Sequence, residues 1–413
     1  MTPPNSAESG PPMSPVQALE SRHLLQTYRR IPVVFTRGEG VYLYDDSGRG
    51  YLDLVSGIGV ASLGHANPVL AAALSDQART LLHTSNLYYH ALQGKVAARL
   101  TALSALPRVF FCNSGTEAVE ACLKFARRFW HTSGDLGRTG FVALDHAFHG
   151  RTLGSLSITW DEHYRTPFEP LLGGVQWVSA TDPAALDAAV SSSTAAIIVE
   201  AIQGEGGVRP LGTEMAAAIQ RARQRTGALL IADEVQCGLG RTGTAFGYQR
   251  LGLQPDLAAI GKALGGGVPV GAALVSQAVA DAVSFGDHGT TYGGNLLACR
   301  AALVFLEALT DGGLLDHVRD VGEYFGTGLR ALAAKHPVVR EVRGAGVMWG
   351  LDLAEDASQY VEAAFEQGLL INRTANTVIR MLPPFVITRA EIDRALTILD
   401  HVFTACAGEP AAS

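Results

Sequence analysis

Between residues 107 and 276, short apolar runs alternate with longer, helix-like stretches. Val109–Cys112, Phe141–Leu144, Ile197–Val199 and Leu229–Ala232 are continuous apolar segments, as expected of strands covered on both faces. Their alternation with helices predicts an α/β fold: a largely parallel sheet with helices on either side. Earlier in the chain, residues 40–54 read as a hairpin turning at Asp46-Ser-Gly. Late in the chain, Val338–Leu353 and Val378–Leu382 read as antiparallel strands among helices. Both ends therefore differ from the middle, and the pattern predicts four segments: a disordered tail over 1–17, an N-terminal segment over 18–65 that joins a small domain, a large domain over 66–310, and the C-terminal part of the small domain over 311–413. The tail assignment rests on Pro, Ser and Gly with almost no large apolar residues. No internal repeat is visible.

Bulk composition narrows the function classes. The chain has 413 residues, 47% of them hydrophobic, enough for one large core or two associated ones. A net charge of −7 and scattered arginines give no general attraction for nucleic acid or anionic membrane. No run approaches the roughly 18 apolar residues of a membrane span, and the first residues lack a basic start and an apolar core. A cytoplasmic protein is expected. Its cysteines, at 112, 122, 237, 299 and 406, are widely spaced and without CxxC pairs, as reduced thiols are.

Candidate chemistry begins with Lys262, one of only four lysines against twenty-eight arginines. It sits in Asp256-Leu-Ala-Ala-Ile-Gly-Lys-Ala-Leu-Gly-Gly-Gly, where an apolar strand end favours the neutral amine, a better nucleophile and Schiff-base former. A phosphate-binding P-loop is excluded because Asp256 and Ala263 stand where that motif needs Gly and Ser or Thr. Asn113-Ser-Gly-Thr-Glu opens a helix, with Ser114 and Glu117 at capping-box spacing. Its N–H groups and the Thr116 hydroxyl suit either a phosphate or an ordinary helix cap. Asp233 ends a buried strand, where α/β sheets keep their ligands, and needs a cation, a metal or a helix start to face. His146 and His149 form one HxxH pair without further ligands at metal spacing, so no metal is expected.

An amine, a phosphate cradle and a strand-end carboxylate are together what pyridoxal 5′-phosphate requires. Seven collinear strings carry a specific resemblance: Ser56-Gly-Ile-Gly-Val-Ala-Ser-Leu-Gly-His, Ser114-Gly-Thr-Glu-Ala, Phe148-His-Gly-Arg-Thr, Gln203-Gly-Glu-Gly-Gly-Val, Asp233-Glu-Val-Gln, Gly261-Lys-Ala-Leu-Gly-Gly-Gly and Gly289-Thr-Thr-Tyr-Gly-Gly-Asn. From about Thr27 to its last helix the chain resembles the class III aminotransferases of fold-type I. That resemblance implies a large domain with a mostly parallel seven-stranded sheet and a small α+β domain. It implies pyridoxal 5′-phosphate bound covalently by Lys262, with Asp233 on the ring nitrogen, Gln236 on the ring hydroxyl, and Phe148 and Val235 on opposite ring faces. Ser114, Gly115, Thr116 and Glu234 complete the expected cofactor residues, together with Thr291, which in such enzymes reaches across from a second subunit. A homodimer with shared sites follows.

For substrates, the resemblance assigns Arg151 and Arg380 as carboxylate-binding arginines, a task suited to a permanently charged, bidentate fork. Glu205 is assigned as the gate that covers Arg380 when a terminal amine reacts and leaves it when glutamate arrives. Tyr28-Arg-Arg-Ile-Pro-Val and His83-Thr-Ser-Asn-Leu-Tyr-Tyr are most similar to the branch acting on N-acetylornithine, with 2-oxoglutarate and glutamate as the common pair and Thr290 touching substrate. Ala61, Ala201, Cys237 and Leu296 stand where that branch usually has Asn, Pro, Thr and Pro. Ala61 and Cys237 are expected near the pocket. Carrier-linked lysine-pathway semialdehydes, succinyldiaminopimelate, ornithine and 4-aminobutyrate stay open as substrates, as does a same-fold aminomutase; Ser157-Ile-Thr-Trp leans toward the lysine-pathway relatives.

Overall fold

A computed structural model describes residues 13–407. Seven strands form the central sheet in the order 108–112, 271–275, 257–260, 229–233, 194–200, 140–144 and 175–178. Only Gly271–Val275 runs against the others, pairing antiparallel with both of its neighbours. The remaining neighbours pair in parallel.

Each central strand feeds two cores. Leu230, Ala232, Ala258 and Ile260 pack into one hydrophobic cluster, while their alternating neighbours Leu229, Ile231, Leu257 and Ala259 pack into another on the opposite face. Side chains alternate along a strand, so a strand covered on both faces must be apolar at every position. That is the physical origin of the continuous runs in the sequence. One face is covered by helix Gly115–Thr132, whose Ala118, Val119, Cys122, Leu123, Phe125 and Ala126 form its apolar stripe. The other is covered in part by Thr213–Thr226 and Leu296–Thr310.

The termini build separate sheets. Tyr42–Asp45 and Gly50–Asp53 form the expected hairpin, and the Asp45 carboxylate organises its turn by accepting from the N–H groups of Ser47 and Arg49. Leu52 and Asp53 then pair in parallel with Leu369 and Leu370. A second sheet, antiparallel throughout, orders 339–345, 348–353, 378–381 and 372–374. Arg241 ties these parts together. Its buried guanidinium donates to the carbonyls of Val347 and Pro383 and to the Ser62 hydroxyl, and lies 4.4 Å above the Phe385 ring.

The tail expected over 1–17 lies outside the described residues up to residue 12. Beyond that it is corrected: Ser14 caps the helix Pro15–His23, closing a capping box with Gln17. The Ser14–Gln17 capping box with Pro15 at the first helical position is a local signal that holds despite the scarcity of large apolar residues. No helix among the described residues is long and apolar enough to cross a membrane.

Candidate active site

Five loops leave the carboxyl edge of the parallel strands and converge. They carry Ser114 to Thr116, Phe148 to Arg151, Gln203 to Glu205, Asp233 to Gln236, and Lys262. Arg380 approaches from strand Val378–Met381 of the C-terminal sheet. Ligands of open α/β sheets collect at this edge because helix N-termini and loop groups face it while the sheet interior stays dry.

Asp233 is buried, and its carboxylate accepts from the Val235 N–H at 3.0 Å and meets His149 Nδ1 at 2.8 Å. His149 Nε2 is buried with no partner. His149 was legible only as half of an HxxH pair; its partner lies 84 residues away, so the sequence carried no sign of this bond.

Lys262 follows strand Leu257–Ile260, with a positive φ of 39° and partial solvent access. A non-glycine residue held at positive φ is strained, as functional residues often are. Burial depresses the pKa of its ammonium, the Glu205 charge opposes that, and the Arg380 charge adds to it. Close packing fixes the amine relative to the helix start. A Cβ on Gly115 would come within 2.4 Å of Val235, and one on Gly261 within 3.2 Å of Gly115 Cα. The start of helix Gly115–Thr132, Val235 and the lysine loop therefore touch directly.

Glu205 and Arg380 form an ion pair at 2.5 Å, the arginine fully enclosed and the glutamate one-third exposed. Gln236 bonds both, accepting from Arg380 at 3.3 Å and donating to Glu205 at 3.4 Å. Burial raises the Glu205 pKa, but Arg380, Lys262 and Gln236 outweigh it and hold the carboxyl below its ordinary value. Arg151 is exposed, its guanidinium 3.6 Å above the Tyr164 ring and 5.4 Å from Phe148. A cavity of about 670 Å³ opens here, lined by Phe148, Trp160, Tyr164, Glu205, Arg373 and Asn376 among others. Trp160 closes the Ser157-Ile-Thr-Trp string, whereas Tyr164 carried no signal in the sequence. A similar cavity of about 710 Å³, beside Arg209 and Arg343, holds none of the expected site residues.

Several of the expected side chains have other partners in the structure. The Glu234 carboxylate turns away from the cleft and accepts from the N–H groups of Gly247 and Tyr248 at 2.6 and 2.9 Å, because it alternates with Asp233 and Val235. Glu117 skips the Ser114 N–H and bonds Asn113 instead, so only half of the capping box forms. The Thr116 hydroxyl is already shared with Thr152 and Ser155. Cys237 belongs to a small buried cluster with Ala201, Ile202 and Met348 rather than to the pocket. Thr290 turns inward to Asn113 and Gly293, while Thr291 is exposed.

Comparison with known proteins gives a consistent pattern. Residues 25–403 match the family described as aminotransferase class-III. The acetylornithine aminotransferase of Archaeoglobus fulgidus is 46% identical over 380 residues, 92% of this chain and 98% of that protein. Among solved structures, ornithine aminotransferase from Toxoplasma gondii, with partial occupancy of PLP at its active site, superposes with a TM-score of 0.89 at 32% identity, covering 94% of this chain and 93% of the other. N-acetylornithine aminotransferase from Stenotrophomonas maltophilia superposes with a TM-score of 0.81 at 32% identity over 94% and 99%.

Proposed function

The chain belongs to the class III aminotransferases, and we propose that it moves the terminal amino group of N2-acetyl-L-ornithine to 2-oxoglutarate, giving N-acetyl-L-glutamate 5-semialdehyde and L-glutamate. The reaction would run in the cytoplasm on pyridoxal 5′-phosphate, in a homodimer with shared sites. The Glu205–Arg380 pair carries the substrate reading: a neutralised arginine suits the uncharged flank of a terminal amine, and a freed one suits the α-carboxylate of glutamate.

The residues fit the cofactor. An enclosed carboxylate, a depressed lysine amine and an open helix start meet in one cleft, and the unpartnered His149 Nε2 lies behind Asp233. When bound, pyridoxal phosphate supplies an aldehyde that condenses with amines and a protonated ring that withdraws electrons from carbon. Asp233, braced by His149 and Val235, would keep the proton on the ring nitrogen. Lys262 would be the attachment point and, once displaced by substrate amine, the base that moves a proton between substrate carbon and cofactor carbon. Phe148 and Val235 would fix the ring plane, Gln236 would hold the ring hydroxyl, and the N–H groups of Gly115 and Thr116 would meet the phosphate. Arg151, flattened on Tyr164, would take the substrate α-carboxylate.

Single-turnover absorbance tests this. N-acetylornithine should convert the cofactor band of the purified holoenzyme to its aminated form, and 2-oxoglutarate should reverse it. A band unmoved by both N-acetylornithine and glutamate would overturn the substrate assignment. Lys262→Ala should abolish turnover while cofactor remains bound non-covalently.

A further inference from the structure

Glu200 ends strand Thr194–Glu200, in register with Asp233 on the neighbouring strand, and is almost wholly buried. One carboxylate oxygen accepts from the Phe148 N–H at 3.0 Å, and the other accepts from the Gly204 N–H at 3.1 Å. Those two amides belong to different loops. The first presents the Phe148 ring, and the second leads directly into Glu205.

We propose that Glu200 is a positioning residue which clamps these two loops at a fixed separation and thereby sets how readily Glu205 leaves Arg380. The proposal rests on the gated reading of Arg380 above. Only an ionised carboxylate offers both amides an acceptor; a neutral acid or an amide offers one acceptor and turns a donor toward the other N–H. With one bond lost, the Gly204–Glu205 segment is freer. Glu205 then leaves Arg380 more easily, which favours the α-carboxylate of glutamate and disfavours a terminal amine that needs Arg380 covered.

The surroundings make the ionisation sensitive. Burial pushes the Glu200 carboxyl up to about 7, the nearby His149 favours its charge, and Asp233 opposes it. Lys262 and the Cys237 thiol also feel that charge.

The test compares Glu200→Gln with the parent holoenzyme in separate half-reactions with glutamate and with N-acetylornithine. The ratio of kcat/KM for glutamate to that for the terminal amine should rise about tenfold, the worth of one hydrogen bond, mainly through KM. In the parent enzyme the same ratio should rise as pH falls through about 7, and in the variant it should stay flat. Equal losses in both half-reactions, or an unchanged ratio with matching pH profiles, would overturn the proposal and leave Glu200 as a folding staple. If Glu200→Gln fails to fold, Glu200→Asp, whose carboxylate sits one methylene further from the two amides, replaces it, and a ratio equal to the parent's would overturn the proposal. If the parent refuses N-acetylornithine, ornithine or 4-aminobutyrate serves as the terminal amine. That outcome removes the substrate assignment without touching the test of Glu200.

Discussion

At the scale of single residues, Asp233 and Glu234 show how far adjacency misleads. Both are buried acids in one string, yet one faces the cleft and its neighbour braces a helix start on the far side. Lys262, Asp233 and Arg380 were legible as candidates because a lysine at an apolar strand end, a strand-end acid and an arginine in a family string each leave a mark in the sequence. His149 was not, since its meaning lies in a partner that folding supplies. Glu234 also has a measurable signature. Burial raises its pKa from 4.5 to about 7, so the folded state holds its proton more tightly than the unfolded one. Its contribution to stability is full below about 4.5 and is lost as pH rises toward 7, by up to about 3 kcal/mol. Glu234→Gln cannot titrate, so its unfolding free energy in urea should fall less over that range than the parent's. Parallel profiles for the two proteins would refute this.

Elements that serve two cores announce themselves, which is why the central apolar runs fall within strands and miss their ends by at most three residues. Short elements do not. Helix Glu162–Arg165, capped by Asp161, sets Tyr164 beneath Arg151, but four residues carry no periodicity. The start of helix Gly115–Thr132 is the most constrained element boundary in the site. Gly115→Ala would drive a methyl group into Val235, a stiff β-branched neighbour, at an overpacking cost of about 1–3 kcal/mol. The helix should survive that cost, but the cradle should shift. Equilibrium dialysis should show pyridoxal phosphate affinity falling at least about tenfold while the circular dichroism spectrum is retained. Unaltered affinity would mean that Val235 can turn aside.

For the whole molecule, the sequence reading joins both ends in one small domain but does not say which strands pair, because strand partners leave no mark at such separations. The proposed shared site makes its own prediction. Lys262→Ala and Thr291→Glu chains are each inactive in a site built across two subunits, but a mixed dimer regains one intact site. Co-refolded in equal amounts, they should recover about a quarter of parental activity by random pairing. No recovery would place Thr291 and Lys262 of one chain in the same site.

The parallel pairing of Leu52 and Asp53 with Leu369 and Leu370 also has a consequence in time. A ribosome adding about 5–20 residues per second needs roughly 15–60 s to travel from one partner to the other. Through that interval the edge of strand Gly50–Asp53 has no mate, although its own hairpin can close in microseconds. The newborn chain thus carries an open strand edge until Leu369 and Leu370 are made, and that edge is where a chaperone or a wrong neighbour would find it.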